Sequence, residues 1–120
     1  MRTIFDYECY KEYLNERIQS GPKRGRGVKK NLAEFLRCKT SLISAILSGD
    51  RDFSLDQAIQ VSRFFSLGLL EKDFFIFMVG HEKAGTQELK DYYKEKLENY
   101  RKSHSHEYEI SDTYALQEDY

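Results

Sequence analysis

The residues best equipped for chemistry in this chain are cations. Lys23, Arg24, Arg26, Lys29, Lys30, Arg37 and Lys39 crowd one segment and are opposed there only by Glu34. Thr40, Ser41, Ser44, Ala45 and Ser48 follow at once. Clustered ammonium and guanidinium groups neutralise phosphate, and short hydroxyl side chains can meet base edges without filling a groove. The opposite end holds Glu107, Glu109, Asp112, Glu118 and Asp119, with no cation after Lys102. A net charge of −1 argues weakly against a polyanionic partner. What counts at a contact is the local field, because exposed charges are screened beyond about 8–10 Å. A basic front and an acidic rear suit one-sided binding to a polyanion.

Other chemistries are poorly served. No motif sets His81, His104 or His106 near a nucleophile, and the carboxylates are scattered without a paired signature, so no catalytic residue and no enzyme is expected. Cys9 and Cys38 lie far apart, and Cys38 reads as a core residue. His104-Ser105-His106-Glu107 offers ligand atoms, but no further Cys or His completes a metal site, so the segment reads as solvated tail. Gly25-Arg26-Gly27 follows no strand and fits no nucleotide-binding loop. No metal and no cofactor is expected. No apolar run is long enough to span a bilayer, and Met1-Arg2-Thr3-Ile4-Phe5-Asp6 does not resemble a signal peptide. These features point to a cytoplasmic protein with reduced thiols and no membrane partner.

The elements that must position the cations read as helices, favoured by a single proline in 120 residues. Asp6 is expected to cap a first helix reaching about Gln19, with Tyr7, Tyr10, Leu14 and Ile18 as its apolar stripe, widened by Cys9 and Tyr13. Lys11, Glu12, Asn15 and Glu16 are expected to face water. Ser20-Gly21-Pro22 ends the helix, and Lys23–Gly27 forms a loop rich in glycine and cations. A second helix begins near Val28 or Lys29, with Leu32, Ala33 and Leu36 inward; a third ends at Ser48-Gly49, with Ile43, Ile46 and Leu47 inward. Lys29 and Lys30 at a helix start oppose the helix dipole and make sense if phosphate completes the site there.

Ser54-Leu55-Asp56-Gln57 reads as a capping box for a fourth helix to about Phe65, with Leu55, Ala58, Ile59 and Ser62 inward. A fifth helix, Leu70 to Lys83, is apolar on more than one face, so it is either central to the fold or meets a partner. Thr86 caps a sixth that carries Leu89, Tyr93, Leu97 and Tyr100 on one stripe. The expected fold is all-α, a compact bundle of five to six helices over residues 1–103, followed by an acidic, Tyr-containing tail over 104–120. Within it, the stretch Tyr108 to Tyr120 leaves two alternatives open, docking on the helices or staying disordered.

The run Leu32-Ala33, Cys38, Thr40-Ser41, Ile43-Ser44 and Gly49 resembles, without gaps, the helix-turn-helix of phage repressor and Cro-type regulators. One position departs. Arg37 stands where the family's turn usually has glycine, and a left-handed conformation there costs roughly 1 kcal/mol for a residue with a Cβ. Either the turn bends differently or Arg37 bears that strain. Over nearly the whole chain the layout is also similar to a bacterial family of helix-turn-helix regulators that usually carry a C-terminal domain of unassigned function. The matching pieces are Phe5-Asp6-Tyr7 with Tyr13-Leu14, Ile46-Leu47-Ser48-Gly49 with Arg51, Ser54-Leu55, Asp73-Phe74-Phe75 and Gly85-Thr86.

The resemblance implies a transcriptional regulator of double-stranded DNA. The third helix would lie in the major groove with Thr40, Ser41, Ser44 and Ala45 toward base edges and Ser48 on the same outer side. Lys39 would reach a base or a phosphate. Lys29 would contact phosphate with Lys30 close by, Arg24 and Arg26 would add backbone or minor-groove contacts, and Arg51 would serve the following loop. Asp50 and Asp52 weaken that loop's role. One such module binds weakly, so a homodimer is expected, with Phe74, Phe77, Met78, Tyr93, Leu97 and Tyr100 as its surface. The rival reading is a helical protein–protein interaction module that keeps the fold without binding DNA.

Overall fold

The computed structural model describes residues 2–109. Among them the regular structure is entirely helical. A 3-10 turn at Ile4–Asp6 precedes α1 (Tyr10–Gln19), and a second at Pro22–Gly25 precedes α2 (Val28–Leu36). Then come α3 (Thr40–Leu47), α4 (Leu55–Phe64), α5 (Leu69–Lys83) and α6 (Gln87–Glu109).

Local signals start several of these elements. Ser54 and Gln57 form the capping box that the sequence predicts: the Gln57 amide donates to Ser54 Oγ at 3.0 Å, and the Ser54 amide donates to Gln57 Oε1 at 2.9 Å. The Leu89 amide donates to Thr86 Oγ1 at 3.1 Å at the start of α6. The first helix begins later than its sequence suggests. Asp6 does not cap α1; it closes the preceding turn, accepting from the Thr3 amide at 2.8 Å. The chain has to turn there because Ile4 and Phe5 are inserted into the core, Phe5 lying edge-on to Phe74 with centroids 5.0 Å apart.

The core is centred on Tyr10, Leu14, Leu32, Ile43, Ile46, Phe53, Phe74 and Phe75, all buried. The predicted inner faces of α2 and α3 are the buried ones. In α4 the inward residues are Ala58, Val61 and Ser62, at spacings of three and four, whereas Leu55 and Ile59 fall on a flank and are 40% and 41% exposed. Helix α5 is apolar on two faces because it has two neighbours. One face meets the core through Phe75 and Val79; the other receives α6. Gly80 is the seat of that second contact. A Cβ there would lie 2.5 Å from Cζ of Tyr93, so only glycine lets the ring settle on α5.

This arrangement removes three residues from the expected dimer surface. Phe74, Met78 and Leu97 are buried within the chain, at 0%, 2% and 5% exposure. Phe77 packs against Tyr93 and Tyr100 at 6.2 and 5.6 Å between centroids, and the Tyr100 hydroxyl donates to Asp73 at 2.9 Å. The stripes of α5 and α6 meet each other through these residues, while Leu89 at the start of the α6 stripe stays 41% exposed.

The boundary expected after residue 103 also moves. Helix α6 runs through to Glu109, and His104 stacks on Phe5 with centroids 4.4 Å apart. Arg101 ties the same region down, donating to the carbonyls of Phe5 and Tyr7 at 3.2 and 2.9 Å. The two alternatives for residues 110–120 lie outside the described residues. Among the described residues, no helix is long and apolar enough to cross a membrane.

Candidate nucleic-acid interface

Helices α2 and α3 meet at a turn over Arg37–Lys39. Arg37 bears the strain: its backbone is left-handed, with φ 58° and ψ 46°. The amide of Cys38 then closes back on the Ala33 carbonyl at 2.9 Å, and the chain leaves extended through Lys39 into α3. Burial of Leu32, Ala33 and Leu36 against Ile43, Ile46 and Leu47 fixes the pair, since six apolar side chains leave water together. Burial also raises the Cys38 thiol above its usual range, as expected for a half-buried residue behind this turn.

The face of α3 turned away from that core carries Thr40, Ser41, Ser44 and Ser48, all exposed. Ala45 is half-buried on its flank. The Ala45 carbonyl collects the amides of Asp50 and Arg51 at 2.9 and 3.3 Å, which ends the helix and turns the next loop back.

Two contacts from α1 hold this unit. Asn15 Nδ2 donates to the Leu47 carbonyl at 3.0 Å, satisfying an end of α3 that would otherwise need water. The second contact is a half-buried node. The Tyr10 hydroxyl donates to Asp52 Oδ1 at 2.7 Å and accepts from the Phe53 amide at 3.2 Å, while Lys11 Nζ sits 3.0 Å from the same carboxylate oxygen. Burial pushes the Tyr10 hydroxyl far above the usual phenol value, and its carboxylate partner adds to that. Burial alone would raise Asp52 as well, but the Tyr10 and Lys11 hydrogen bonds and the Lys11 charge outweigh it and hold the carboxyl below its ordinary value. Asp52 is therefore engaged inward rather than set against an approaching polyanion. Asp50 stays exposed, its carboxylate 3.4 Å from Ser48 Oγ. Lys11, expected to face water, is half-buried against Asp52; Asn15 is exposed as expected and still serves as a strut through its bond to Leu47.

Arg24, Lys29, Lys30 and Thr40 share one open groove of about 640 Å³ with Asn15, Ile18, Gln19, Gly25 and Gly27. The turn that delivers Arg24 is tightly wound, with Lys23 and Arg24 both at φ 55°. Gly25 is required in it: at φ +81°, a Cβ would run into the Ile18 side chain and lie 2.6 Å from the Ile18 carbonyl oxygen. Neither α2 nor α3 has a side-chain cap, and neither has an acidic residue in its first turn. Arg26, Lys39 and Arg51 are exposed but do not line the groove. Among the described residues, none of Arg24, Arg26, Lys29, Lys30, Lys39 and Arg51 forms an ion pair or a side-chain hydrogen bond. Elsewhere Arg2, Lys11 and Arg101 are paired with carboxylates.

Sequence reasoning did not find Asn15, Gln19 or Tyr10 as parts of this region, and it read Asp52 only as an acid weakening the loop. Asn15, Tyr10 and Asp52 contribute through contacts between segments far apart in the chain, and Gln19 through the groove lining. No group of three or more metal-ligating side chains occurs among the described residues. Comparison of the chain with protein-family models, with curated proteins and with solved structures finds no match.

Proposed function

We propose that this chain binds double-stranded DNA through the helix-turn-helix formed by α2 and α3 and acts as a transcriptional regulator. The observation that carries the reading is the outward face of α3: four exposed hydroxyl side chains, only Ser48 of them beside an acid, Asp50, flanked by unpaired cations on α2 and the adjoining turns. In this reading α3 enters the major groove. Thr40, Ser41, Ser44, Ala45 and Ser48 meet base edges, and Lys39 reaches a base or a phosphate. Arg24, Arg26, Lys29, Lys30 and Arg51 hold the phosphate backbone on either side. Hydroxyl and methyl groups discriminate bases less sharply than bidentate Arg, Asn or Gln, so phosphate contacts supply most of the affinity. A two-fold pair of chains on half-sites about one helical turn apart fits such a module, with a surface other than the α5–α6 seam.

The test is a salt titration on mixed-sequence duplex. Affinity should fall by orders of magnitude between about 50 and 200 mM salt if six or more phosphates are contacted. Lys29→Glu with Lys30→Glu should abolish binding while leaving the circular dichroism spectrum intact. Unchanged duplex affinity in that double variant removes the docking geometry. Absence of any duplex binding by the wild-type chain favours the interaction-module reading, in which exposed Asp50 beside Ser48 would meet a protein partner.

A further inference from the structure

We infer that the groove between α1, the Pro22–Gly25 turn and the starts of α2 and α3 is a binding site for a small phosphate monoester, of about the size of a nucleoside monophosphate. The ligand site stands on the groove itself; only its regulatory consequence rests on the DNA-binding reading.

The groove has the right size and the right chemistry. Its volume, about 640 Å³, falls within the ordinary range for small-molecule sites. Three cations, Arg24, Lys29 and Lys30, come to it from two segments, and no acidic side chain lines it. All three lack a partner among the described residues, so an anion would displace water alone and break no existing ion pair. Thr40, at the start of α3, adds a hydroxyl to the lining. A monoester carries close to two negative charges above its second pKa of about 6, and it can accept from two cations at once. The lining also includes Ile18, largely covered by Gly25, and Gln19, whose side-chain amide can hydrogen-bond an organic group attached to the phosphate.

The consequence is competition. Lys29 and Lys30 cannot hold a ligand phosphate and a duplex phosphate together, so the ligand would release the chain from DNA. The site would thus make the same cations both the anchor and the sensor.

The experiment is an amide NMR titration of the full chain with adenosine 5′-monophosphate, with adenosine and inorganic phosphate as matched probes. The nucleotide should produce saturable shifts centred on Gln19, residues 24–30 and Thr40. Adenosine should produce none, and inorganic phosphate should bind at the same residues more weakly. Lys29→Gln with Lys30→Gln should weaken the nucleotide about tenfold or more, as expected for two lost charge-assisted contacts. Lys39→Gln should not. Binding should weaken as pH falls through the second phosphate pKa, about 6. Shifts spread equally over Lys39, Arg51 and other surface cations, or equal shifts with adenosine, would overturn the site. A competition arm with labelled duplex separates the two readings. Nucleotide binding without any duplex binding keeps the groove and sinks the DNA reading; duplex binding with no response to the nucleotide does the reverse.

Discussion

Replacing Tyr10 by Phe removes one oxygen atom and little else. The ring keeps its neighbours, Phe53 and Phe75, with centroids 6.1 and 5.8 Å away, so no cavity opens. Two hydrogen bonds are lost. The amide of Phe53, a residue with 0% exposure, loses its acceptor, and an unsatisfied buried donor costs about 1–3 kcal/mol. The bond to Asp52 is worth less, because the Asp52 side chain is 31% exposed and keeps Lys11, so about 0.5–1 kcal/mol is a fair discount. Together they predict a loss of about 1.5–4 kcal/mol, or on the order of 10 °C in Tm for a chain of this size. Urea denaturation of the wild type, Tyr10→Phe, Asp52→Asn and the double variant measures it. The m-value should stay constant, and the two single losses should sum to more than the double loss by about 0.5 kcal/mol or more. A Tyr10→Phe loss under about 0.5 kcal/mol, or strict additivity in the cycle, would show that the node does not hold the loop after α3.

Three further expectations follow from the same geometry. Gly80→Ala forces a methyl group against the Tyr93 ring and should cost about 1–3 kcal/mol, recovered in part by also trimming Tyr93 to Leu; equal stability of wild type and Gly80→Ala in urea would refute the close approach. Arg37→Gly removes a Cβ from a left-handed turn at φ 58° and should stabilise the chain by up to about 1 kcal/mol, while Arg37→Val, being β-branched, should destabilise it. The Asp52 carboxyl titrates lower in the folded chain than in the unfolded one. Its contribution is therefore fully present above the ordinary value of 3.8 and is lost as pH falls through the lower folded value. Acid unfolding followed by circular dichroism should show this as a flatter pH dependence of stability below pH 4 in Asp52→Asn than in the wild type, and identical curves would count against it.

Much of the helical layout can be read directly from the chain because its causes are short-range. Ser54 and Gln57 are three residues apart, Thr86 caps α6 at a similar distance, and the inward residues of α2 and α3 recur at helical spacing. Such signals act within about one helical turn, and one sequence contains them whole. What tertiary structure decided is which faces meet. The apolar stripes of α5 and α6 look alike whether they meet a second chain or each other, and only the fold shows Tyr93 seated on Gly80. Asp52 reads as an exposed acid until Tyr10, 42 residues away, is brought against it, and Arg101 finds the Phe5 carbonyl across 96 residues. The cation cluster was plain in the sequence; the gathering of three of its members, Arg24, Lys29 and Lys30, around one groove with Thr40 depended on the angle between α1, α2 and α3, which packing sets and no local spacing encodes.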